Sequence, residues 1–337
     1  MSRACTPKAV SARRRARTRV ADTNFARLGV HFEIWKGSPL FAYLLYLLLK
    51  GFSLTVNLLP ENLSLWMGRG LGNVMYYLDV EHRKTVLQNL HVAFGREKSE
   101  REICSIAKRT FQNLGMMAIE FFRLPKMNVE AFQRKVKIEG LEICKKALNN
   151  KKGVLLLLSH FGNWELMGLM SKFLGSSIAV IARPMKKNKW VDRFVRDIRS
   201  GTGLEVIPTE KASRKALRVL SQNRMVGILI DQRAKRSEGV WVDFFGKKAP
   251  STPALAVLAM RTGAPVLPVF LVRNGYRKHR LLIKEPLQLV DTGNIKKDAE
   301  TNTQLMNQTL ESMIRQYPDQ WFWVHRRWER KEKVYHR

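Results

Sequence analysis

The spacing of apolar residues separates a helical part of the chain from a part in which strands and helices alternate. Between residues 61 and 150, apolar side chains such as Ile103, Ile106 and Phe111 recur with the period of an α-helix. From residue 152 onward, short apolar runs predict strands at 153–159, 177–182, 204–208, 225–230, 239–245, 264–272 and 279–284. Amphipathic stretches predict helices at 164–174, 189–201, 211–222 and 253–262. This order predicts an α/β fold with a mixed, largely parallel central sheet flanked by helices, and an N-terminal helical, membrane-associated region.

A continuous apolar stretch precedes the helical part. The twenty residues between Pro39 and Pro60 would span roughly 30 Å as a helix, about the thickness of a bilayer core. Lys50 lies near the middle, where a charged side chain costs roughly 2.5–3.5 kcal/mol in a membrane. The sequence therefore predicts a membrane-anchoring helix over 39–60 and leaves open whether it spans the bilayer or dips into it.

Basic residues exceed acidic residues along most of the chain. There are 60 Lys+Arg and 28 Asp+Glu, a formal net charge of +32. Residues 1–38 hold nine basic and two acidic residues, which predicts a leader that is either solvated or held on an anionic surface. If the next segment crossed the bilayer, this leader would place the body outside the cell. An excess this large indicates an anionic partner, and nucleic acid and a membrane surface are the two candidates.

These changes in composition predict five segments. They are a basic, disordered leader over 1–38, the anchoring helix over 39–60, a helical region over 61–150 that packs on the core, an α/β core over 151–328 and a basic tail over 329–337.

The number and spacing of the cysteines and histidines indicate the redox compartment of the protein and whether it binds a metal. Cys5, Cys104 and Cys144 are scattered and odd in number, so they predict neither a disulfide framework nor a metal site and are typical of a reducing compartment. The seven histidines form no ligand pattern with Cys, Asp or Glu. The sequence therefore predicts no metal and no cofactor.

The strongest local sign of chemistry surrounds His160. This residue ends the first apolar strand, Gly162 and Asn163 supply a turn and a helix cap, and Glu165 falls in the first turn of the next helix. A carboxylate bonded to one imidazole nitrogen fixes the tautomer and leaves the other nitrogen to accept a hydroxyl proton. The pair predicts a general base, His160, oriented by Glu165. Spacing alone also allows His160 to cap a helix beside a surface carboxylate.

Further motifs accompany this block in a defined order. They are Arg83-Lys84 with Asn89-Leu90 and Ala93-Phe94, the His160 to Glu165 block, Ala182-Arg183-Pro184, Arg199-Ser200-Gly201, Asp231-Gln232, Val242 to Gly246, Thr262 to Pro268 and Trp321 to Trp328. From about Leu40 to Trp328 the series resembles the lysophospholipid acyltransferase superfamily, in which a His and an acidic residue are separated by four positions. It more closely resembles the lipid A late acyltransferase branch, the lauroyl and myristoyl transferases of lipopolysaccharide biosynthesis.

The resemblance implies transfer of a fatty acyl chain from acyl carrier protein, or acyl-CoA, to a hydroxyl of a lipid A precursor. It implies that His160 acts as the base and that Glu165 orients it. It places Arg183 where a phosphate group is bound, with Arg199 as a second cation.

Four further residues complete the predicted site. Asp231 and Gln232 match a loop that lines the site in the family, without an assigned chemical step. Backbone N–H groups near Gly162 and Asn163 are the candidate donors to the oxyanion.

The resemblance also implies a location and partners. Acyl carrier protein is acidic and cytoplasmic, so we expect the catalytic domain on the cytoplasmic face of a bacterial inner membrane, with anionic membrane lipid and a lipid A precursor as further partners. Two alternatives stay open: the same chemistry on another phospholipid or glycolipid, and a basic nucleic-acid-binding protein. The second is disfavoured because the basic residues are not gathered on a recognisable motif.

Overall fold

The computed structural model describes residues 39–183, 188–235 and 237–328. The predicted basic leader and basic tail lie outside these residues. The described part has the predicted α/β architecture, a largely parallel sheet with helices on both faces.

The first four helices form the N-terminal region: α1 (Pro39–Leu58), α2 (Glu61–Leu78), α3 (Val80–Phe94) and α4 (Glu100–Arg123). Their ends follow from local capping chemistry. Asp79 accepts a hydrogen bond from the backbone N–H of His82 at the start of α3, and Ser99 and Glu102 form a capping box at the start of α4. The predicted helical pattern over this region is therefore confirmed for these elements.

The remaining elements build the sheet and its covering helices. They are α5 (Val129–Lys135), β1 (Val136–Glu139), α6 (Leu141–Leu148), β2 (Val154–Leu158), α7 (Met170–Phe173), β3 (Ile178–Ala182), α8 (Lys189–Gly201), β4 (Glu205–Pro208), α9 (Ala212–Ser221), β5 (Met225–Leu229), β6 (Val240–Phe244), β7 (Lys247–Ser251), α10 (Ala254–Thr262), β8 (Val266–Asn274), β9 (Lys278–Ile283) and α11 (Ile295–Gln316).

The seven-stranded sheet has the order β1-β9-β8-β2-β5-β3-β4. The five strands from β8 to β4 run parallel, β9 is antiparallel to β8, and β1 is parallel to β9. All five residues of β2 are buried, as expected of a central strand covered on both faces. Its side chains alternate between two cores: Leu155 and Leu157 face one, and Leu156 and Leu158 the other.

Several details differ from the sequence prediction, which placed no element at β7 or at α11. Strand β1 was not predicted, because four residues are too few to show a period. The predicted strand at 239–245 forms β6, which pairs with β7 in a separate hairpin rather than in the main sheet. The predicted helix over 164–174 is a 3₁₀ turn, Leu166–Leu169, followed by the short α7, because i→i+3 bonds such as Leu166 N–H to Asn163 O wind this segment tightly.

Helices α2 and α4 are in backbone contact through glycine. A Cβ on Gly72 would overlap Phe111 O and lie 2.7 Å from Gln112 Cα, and one on Gly115 would overlap Gly68 O. Only glycine lets two helix backbones approach this closely without displacement. The position of α2 on the body therefore depends on these residues.

A buried ion cluster ties α4 to the strands beside the site. The Glu120 carboxylate, 2% exposed, accepts hydrogen bonds from Arg273 of β8, from His279 Nε2 of β9 at 3.1 Å and from Asn163 Nδ2 at 2.8 Å. Burial would raise the pKa of Glu120, but the charges and hydrogen bonds of Arg273 and His279 outweigh it and lower the pKa to about 2. Glu120 is therefore ionised and is the counter-charge of a buried arginine.

Gly72→Ala should lower the free energy of unfolding by about 1–3 kcal/mol, because the added methyl group overlaps the α4 backbone. Gly70→Ala is the matched control: it lies on the same helix, a Cβ there would meet nothing within 4 Å, and the change should raise stability by up to about 1 kcal/mol. Thermal unfolding in detergent measures both. Equal stability of the two variants would contradict the close approach.

Glu120→Gln should lower the free energy of unfolding at neutral pH by about 3–5 kcal/mol, because it leaves Arg273 buried without a counter-charge. The Glu120 pKa is depressed in the folded state, so its stabilisation is complete above the ordinary value of 4.5 and is lost as the pH falls towards about 2. The difference between wild type and variant, measured by denaturant unfolding at several pH values, should shrink over that window.

The control for this variant is Glu139→Gln on β1. Glu139 also pairs with an arginine, Arg280, at 2.9 Å, but both side chains are about one-third exposed. We expect a loss of no more than about 1 kcal/mol. A loss as large as that of Glu120→Gln would show that burial is not the cause.

Candidate active site

His160 lies in a loop that begins where β2 ends. The loop is held from two sides: Phe161 forms a β-bridge with Trp321, and Gly162 forms one with Leu271 of β8. Gly162 has φ +57°, donates its N–H to Gln320 O at 2.8 Å, and has no room for a Cβ because of Leu271 O. A side chain at this position would displace the loop, so Gly162 sets the place of His160.

Asp231 is the carboxylate that holds the His160 ring. Its Oδ1 lies 2.9 Å from His160 Nδ1, and its Oδ2 accepts the backbone N–H of His160 at 2.9 Å and the indole N–H of Trp321 at 2.8 Å. Asp231 is 2% exposed, whereas the His160 side chain is 21% exposed. The carboxylate is thus buried behind an accessible imidazole.

The charge of Asp231 determines which nitrogen of His160 carries the proton. Burial would raise the pKa of Asp231, but the His160 charge and the hydrogen bonds from His160 and Trp321 outweigh it and lower the pKa. An ionised carboxylate only accepts, so Nδ1 carries a proton, and in the neutral form of the ring Nε2 keeps its lone pair. Gln232 Nε2 lies 3.3 Å from that nitrogen.

Glu165 does not make the predicted contact with His160. Its two oxygens accept hydrogen bonds from Arg199 of α8, at 2.9 Å from Nε and 2.5 Å from Nη2, and Trp164 Nε1 donates to it at 3.1 Å. The bidentate arginine holds the carboxylate, and the tight 3₁₀ turn after Glu165 replaces the helix on which the prediction relied. Asp231, predicted as a lining residue without a chemical step, occupies the orienting position instead.

Gly162 and Asn163 belong to the loop that carries His160, and neither is among the residues that line the cavity. The N–H of Gly162 is bonded to Gln320 O, and Asn163 is 1% exposed, with its amide on Glu120 and its Oδ1 accepting from Leu166 N–H. The predicted role of Gly162 as an oxyanion donor is therefore not supported by this geometry, since its N–H already has a partner. Both residues position the loop that carries His160.

A cavity of about 770 Å³ opens beside His160. Its more exposed lining residues include polar and charged side chains, among them Arg183, Arg199 and Gln232. Further in, its walls are buried apolar side chains of the second core, including Leu156, Met225 and Leu281. The cavity therefore joins a basic entrance to an apolar interior, which suits a ligand with a charged end and a long hydrocarbon chain.

The basic entrance contains two arginines in different states. Arg183 is exposed and follows β3, just before residues outside the described ranges. Arg199 is partly buried; burial would lower its pKa, but the hydrogen bond and charge of Glu165 outweigh it and raise the pKa. Arg183 is therefore the more open of the two for an anionic ligand, and Arg199 is held in place by Glu165.

Two functional side chains were missed by sequence reasoning, although both lie in the Trp321 to Trp328 motif. Trp321 donates to Asp231, and His325 lines the cavity with its Nε2 3.0 Å from the backbone N of Arg233. Burial lowers the pKa of His325 to about 4, so it is neutral near pH 7. The role of Asp231 did have a signal, because it follows a predicted parallel strand and the carboxyl ends of such strands meet at one edge.

Within the described ranges, no group of three or more His, Cys, Asp or Glu side chains is arranged to hold a metal ion. Cys144 is buried at the cavity wall, and burial raises the pKa of its thiol.

Comparison with known proteins places these features in a family. Residues 35–330 match the model of the bacterial lipid A biosynthesis acyltransferase family. The chain is 26% identical to the lipid A biosynthesis lauroyltransferase of Escherichia coli over 278 residues, 80% of this chain and 87% of the relative. It is 24% identical to the palmitoleoyltransferase of the same organism over 287 residues, 80% and 86% of the two chains.

A second group of relatives is more similar over a shorter stretch. The phosphatidylinositol mannoside acyltransferase of Mycobacterium tuberculosis is 33% identical over 165 residues, 47% of this chain, and the match spans about half the length of that relative, 52%. The family model covers nearly the whole described structure, with His160, Asp231 and Trp321 inside the match. The chain therefore belongs to the bacterial lipid A biosynthesis acyltransferase family.

Proposed function

We propose that this protein transfers a fatty acyl chain from acyl carrier protein to a hydroxyl group of a lipid A precursor, with His160 as general base. The observation that carries the proposal is the placement of an imidazole, oriented by a buried carboxylate, beside a cavity with a basic entrance and an apolar interior. Those parts match a thioester with a long chain and an acceptor with phosphates.

The proposed reaction uses His160 twice. The acceptor hydroxyl gives its proton to Nε2 while its oxygen attacks the thioester carbonyl carbon, which forms a tetrahedral oxyanion. Collapse of this intermediate breaks the carbon–sulfur bond, and the imidazolium returns the proton to the leaving thiolate. Asp231 stabilises the imidazolium through Nδ1 and keeps the ring in one tautomer. His325, neutral near pH 7, adds no competing positive charge beside it.

The arginines bind the acceptor in this proposal. Arg183, exposed at the cavity entrance, contacts a phosphate group of the acceptor. Arg199 lines the same entrance, and Glu165 positions it through two hydrogen bonds. Glu165 thereby acts on binding of the acceptor rather than on proton transfer, which differs from the role that the family resemblance implied.

The donor and the acceptor are supported by different features. A net charge of +32 favours an acidic protein donor and an anionic surface, as acyl carrier protein and an inner-leaflet membrane provide. The matches to lipid A acyltransferases cover about 80% of this chain, whereas the match to the M. tuberculosis phosphatidylinositol mannoside acyltransferase covers 47%. A phosphorylated glycolipid of that second kind is the alternative acceptor, favoured by its higher identity.

We place the protein on the membrane with α1 lying in the plane of the leaflet. Among the described helices, α1 is the one long and apolar enough to cross a membrane. Both its halves are attached to the body: Tyr43 packs edge-to-face against Trp190 with the ring centroids 4.8 Å apart, and Asn57 Nδ2 donates to Phe122 O at 2.8 Å. These positions are about 21 Å apart along the helix. A crossing helix would draw the body into the bilayer, so the dipping arrangement is favoured.

The outer faces of α1 and α2 together supply the apolar surface for this placement. The exposed apolar side chains include Leu44, Leu47, Leu48, Leu54 and Leu58 on α1 and Leu63, Trp66, Met67, Leu71, Val74 and Leu78 on α2. An exposed patch of this extent is typical of a membrane contact. The cytoplasmic leaflet, where acyl carrier protein is available, is the expected side.

Asp231→Asn should lower kcat by about 10²–10⁴-fold with little change in KM, because the amide neither fixes the productive tautomer nor stabilises the imidazolium. The assay follows acyl transfer from acyl carrier protein to a lipid A precursor in detergent, with mass spectrometry of the product. His160→Ala should show no transfer. If His160→Ala formed product at the wild-type rate, the assignment of His160 as the general base would be wrong.

Glu165→Gln is the comparison for Asp231→Asn, since both remove one partly or fully buried carboxylate. It should raise KM for the acceptor and leave kcat within about tenfold, because Arg199 loses its anchor while the base keeps its partner. Circular dichroism checks that both variants are folded. If Glu165→Gln had a strongly reduced kcat and Asp231→Asn had the wild-type kcat, Glu165 rather than Asp231 would be the residue that orients His160.

Arg183→Ala should raise KM for the phosphorylated acceptor by roughly tenfold or more, the effect expected for one charged hydrogen bond, with a smaller change in kcat. A dephosphorylated acceptor should show no such difference. Arg193→Ala is the control: Arg193 is an exposed arginine of α8 that pairs with Asp197 and lies outside the cavity lining. An unchanged KM in Arg183→Ala would assign Arg183 a structural role.

A further inference from the structure

A second cavity lies at the junction of α1 and α2, apart from the active site. It has a volume of about 300 Å³ and shares no lining residue with the cavity beside His160. Six of its ten lining residues are basic: Arg123, Lys126, Arg134, Lys135, Arg277 and Lys278. One lining residue is acidic, so the pocket carries a strong positive charge.

Three of the basic residues already have defined structural partners. Lys278 Nζ donates to Arg134 O at 2.6 Å. Lys135 pairs with the acidic lining residue, Glu61. Arg123 Nη1 donates to Leu59 O at 3.1 Å, to Ser64 Oγ at 2.9 Å and to Val56 O, which fixes the turn between α1 and α2. These contacts build the wall of the pocket and give it a set shape.

Three other basic side chains of the pocket are available to bind an anion. Lys126, Arg134 and Arg277 are exposed, and none of them forms an ion pair with a carboxylate in the part of the chain that the structure describes. Like charges gathered around one concave site repel each other in the empty pocket. A bound phosphate would relieve this repulsion and accept hydrogen bonds from both arginine and lysine.

The place of the pocket indicates the source of the phosphate. Its lining includes Asn57, near the end of α1, and neighbouring side chains Leu54, Leu58 and Leu63 are exposed at 58%, 72% and 43%. If these apolar side chains lie among acyl chains, the adjacent pocket lies at the level of the lipid phosphates. Its lining also includes the apolar side chains of Met127 and Ala131, which suit the glycerol carbons of a lipid better than a free ion.

We propose that this pocket binds the phosphate headgroup of an anionic phospholipid of the leaflet on which the protein lies. The proposal rests on the membrane placement given above and is independent of the transfer reaction. The headgroup fixes the protein at one depth and one rotation on the surface, because its three cations come from the segment between α4 and α5, from α5 and from the turn before β9, beside the junction of α1 and α2.

The test uses a triple variant, Lys126→Gln, Arg134→Gln and Arg277→Gln, in detergent. The matched control is Lys247→Gln, Lys248→Gln and Arg261→Gln, which removes the same charge from exposed positions outside both cavities. The probe is short-chain phosphatidylglycerol, titrated while the thermal midpoint is followed. We expect it to stabilise the wild type and the control, and to bind the pocket variant roughly a hundredfold more weakly.

Two further probes separate the possible ligands. Inorganic phosphate should give a much smaller shift than the lipid; an equal shift would overturn the lipid assignment. Acyl carrier protein should bind the pocket variant and the control equally; a loss confined to the pocket variant, with lipid binding unchanged, would show that the pocket docks the donor protein instead. Equal lipid binding by the two triple variants would also overturn the proposal.

The same titration on His160→Ala protein separates this proposal from the transfer reaction. The variant lacks the proposed base but keeps the pocket, so its lipid-dependent shift should equal that of the wild type. If the wild type binds the lipid but shows no acyl transfer, the pocket proposal holds and the proposed function is wrong. Loss of the shift in His160→Ala would place the lipid in the active-site cavity and overturn the pocket proposal.

Discussion

The active-site arrangement depends on one buried carboxylate that holds both the backbone and the ring of the residue it orients. Asp231 loses its hydration in the interior, and three N–H groups from His160 and Trp321 replace it. Because the same carboxylate binds the His160 backbone and its Nδ1, the position of the loop and the direction of the imidazole are coupled. Trp321 donates to the same carboxylate, so the active site forms only when three segments that are distant in sequence have come together.

Three carboxylates surround the His160 loop, and their partners separate their roles. Glu165 faces the guanidinium of Arg199, and Glu120 faces the guanidinium of Arg273 together with His279, which is buried away from the cavity. Asp231 faces an imidazole that can gain and lose a proton. The proposed proton transfer therefore involves only His160, which lines the cavity, and its partner Asp231, while the other two carboxylates each hold an arginine.

The membrane-facing helices are connected to the active site through packing. Helix α1 contacts α8 through Tyr46 and Phe194, and α8 carries Arg199 to the cavity entrance. On the other side, the glycines of α2 and α4 hold the two helices in close contact, so the outer, apolar face of α2 has a set position relative to the body. Helix α4 also carries Glu120, which contacts Asn163 of the His160 loop. The surface proposed to meet lipid and the cavity proposed to hold acyl chain and acceptor are therefore parts of one packed unit.

The sequence by itself determined six of the seven strands of the main sheet, the apolar stretch of α1, and His160 as the base candidate, because periodicity and turn residues are local properties. It did not determine the partner of His160. Glu165 is five positions away and Asp231 is 71 away, and only the pairing of β2 with β5 makes the distant residue the neighbour. Leu158 pairs with Leu229, so the residues two positions beyond each, His160 and Asp231, meet at the edge of the sheet. Tertiary structure decided the chemistry here because hydrogen bonds depend on distance in space, which strand order and register set and local sequence does not.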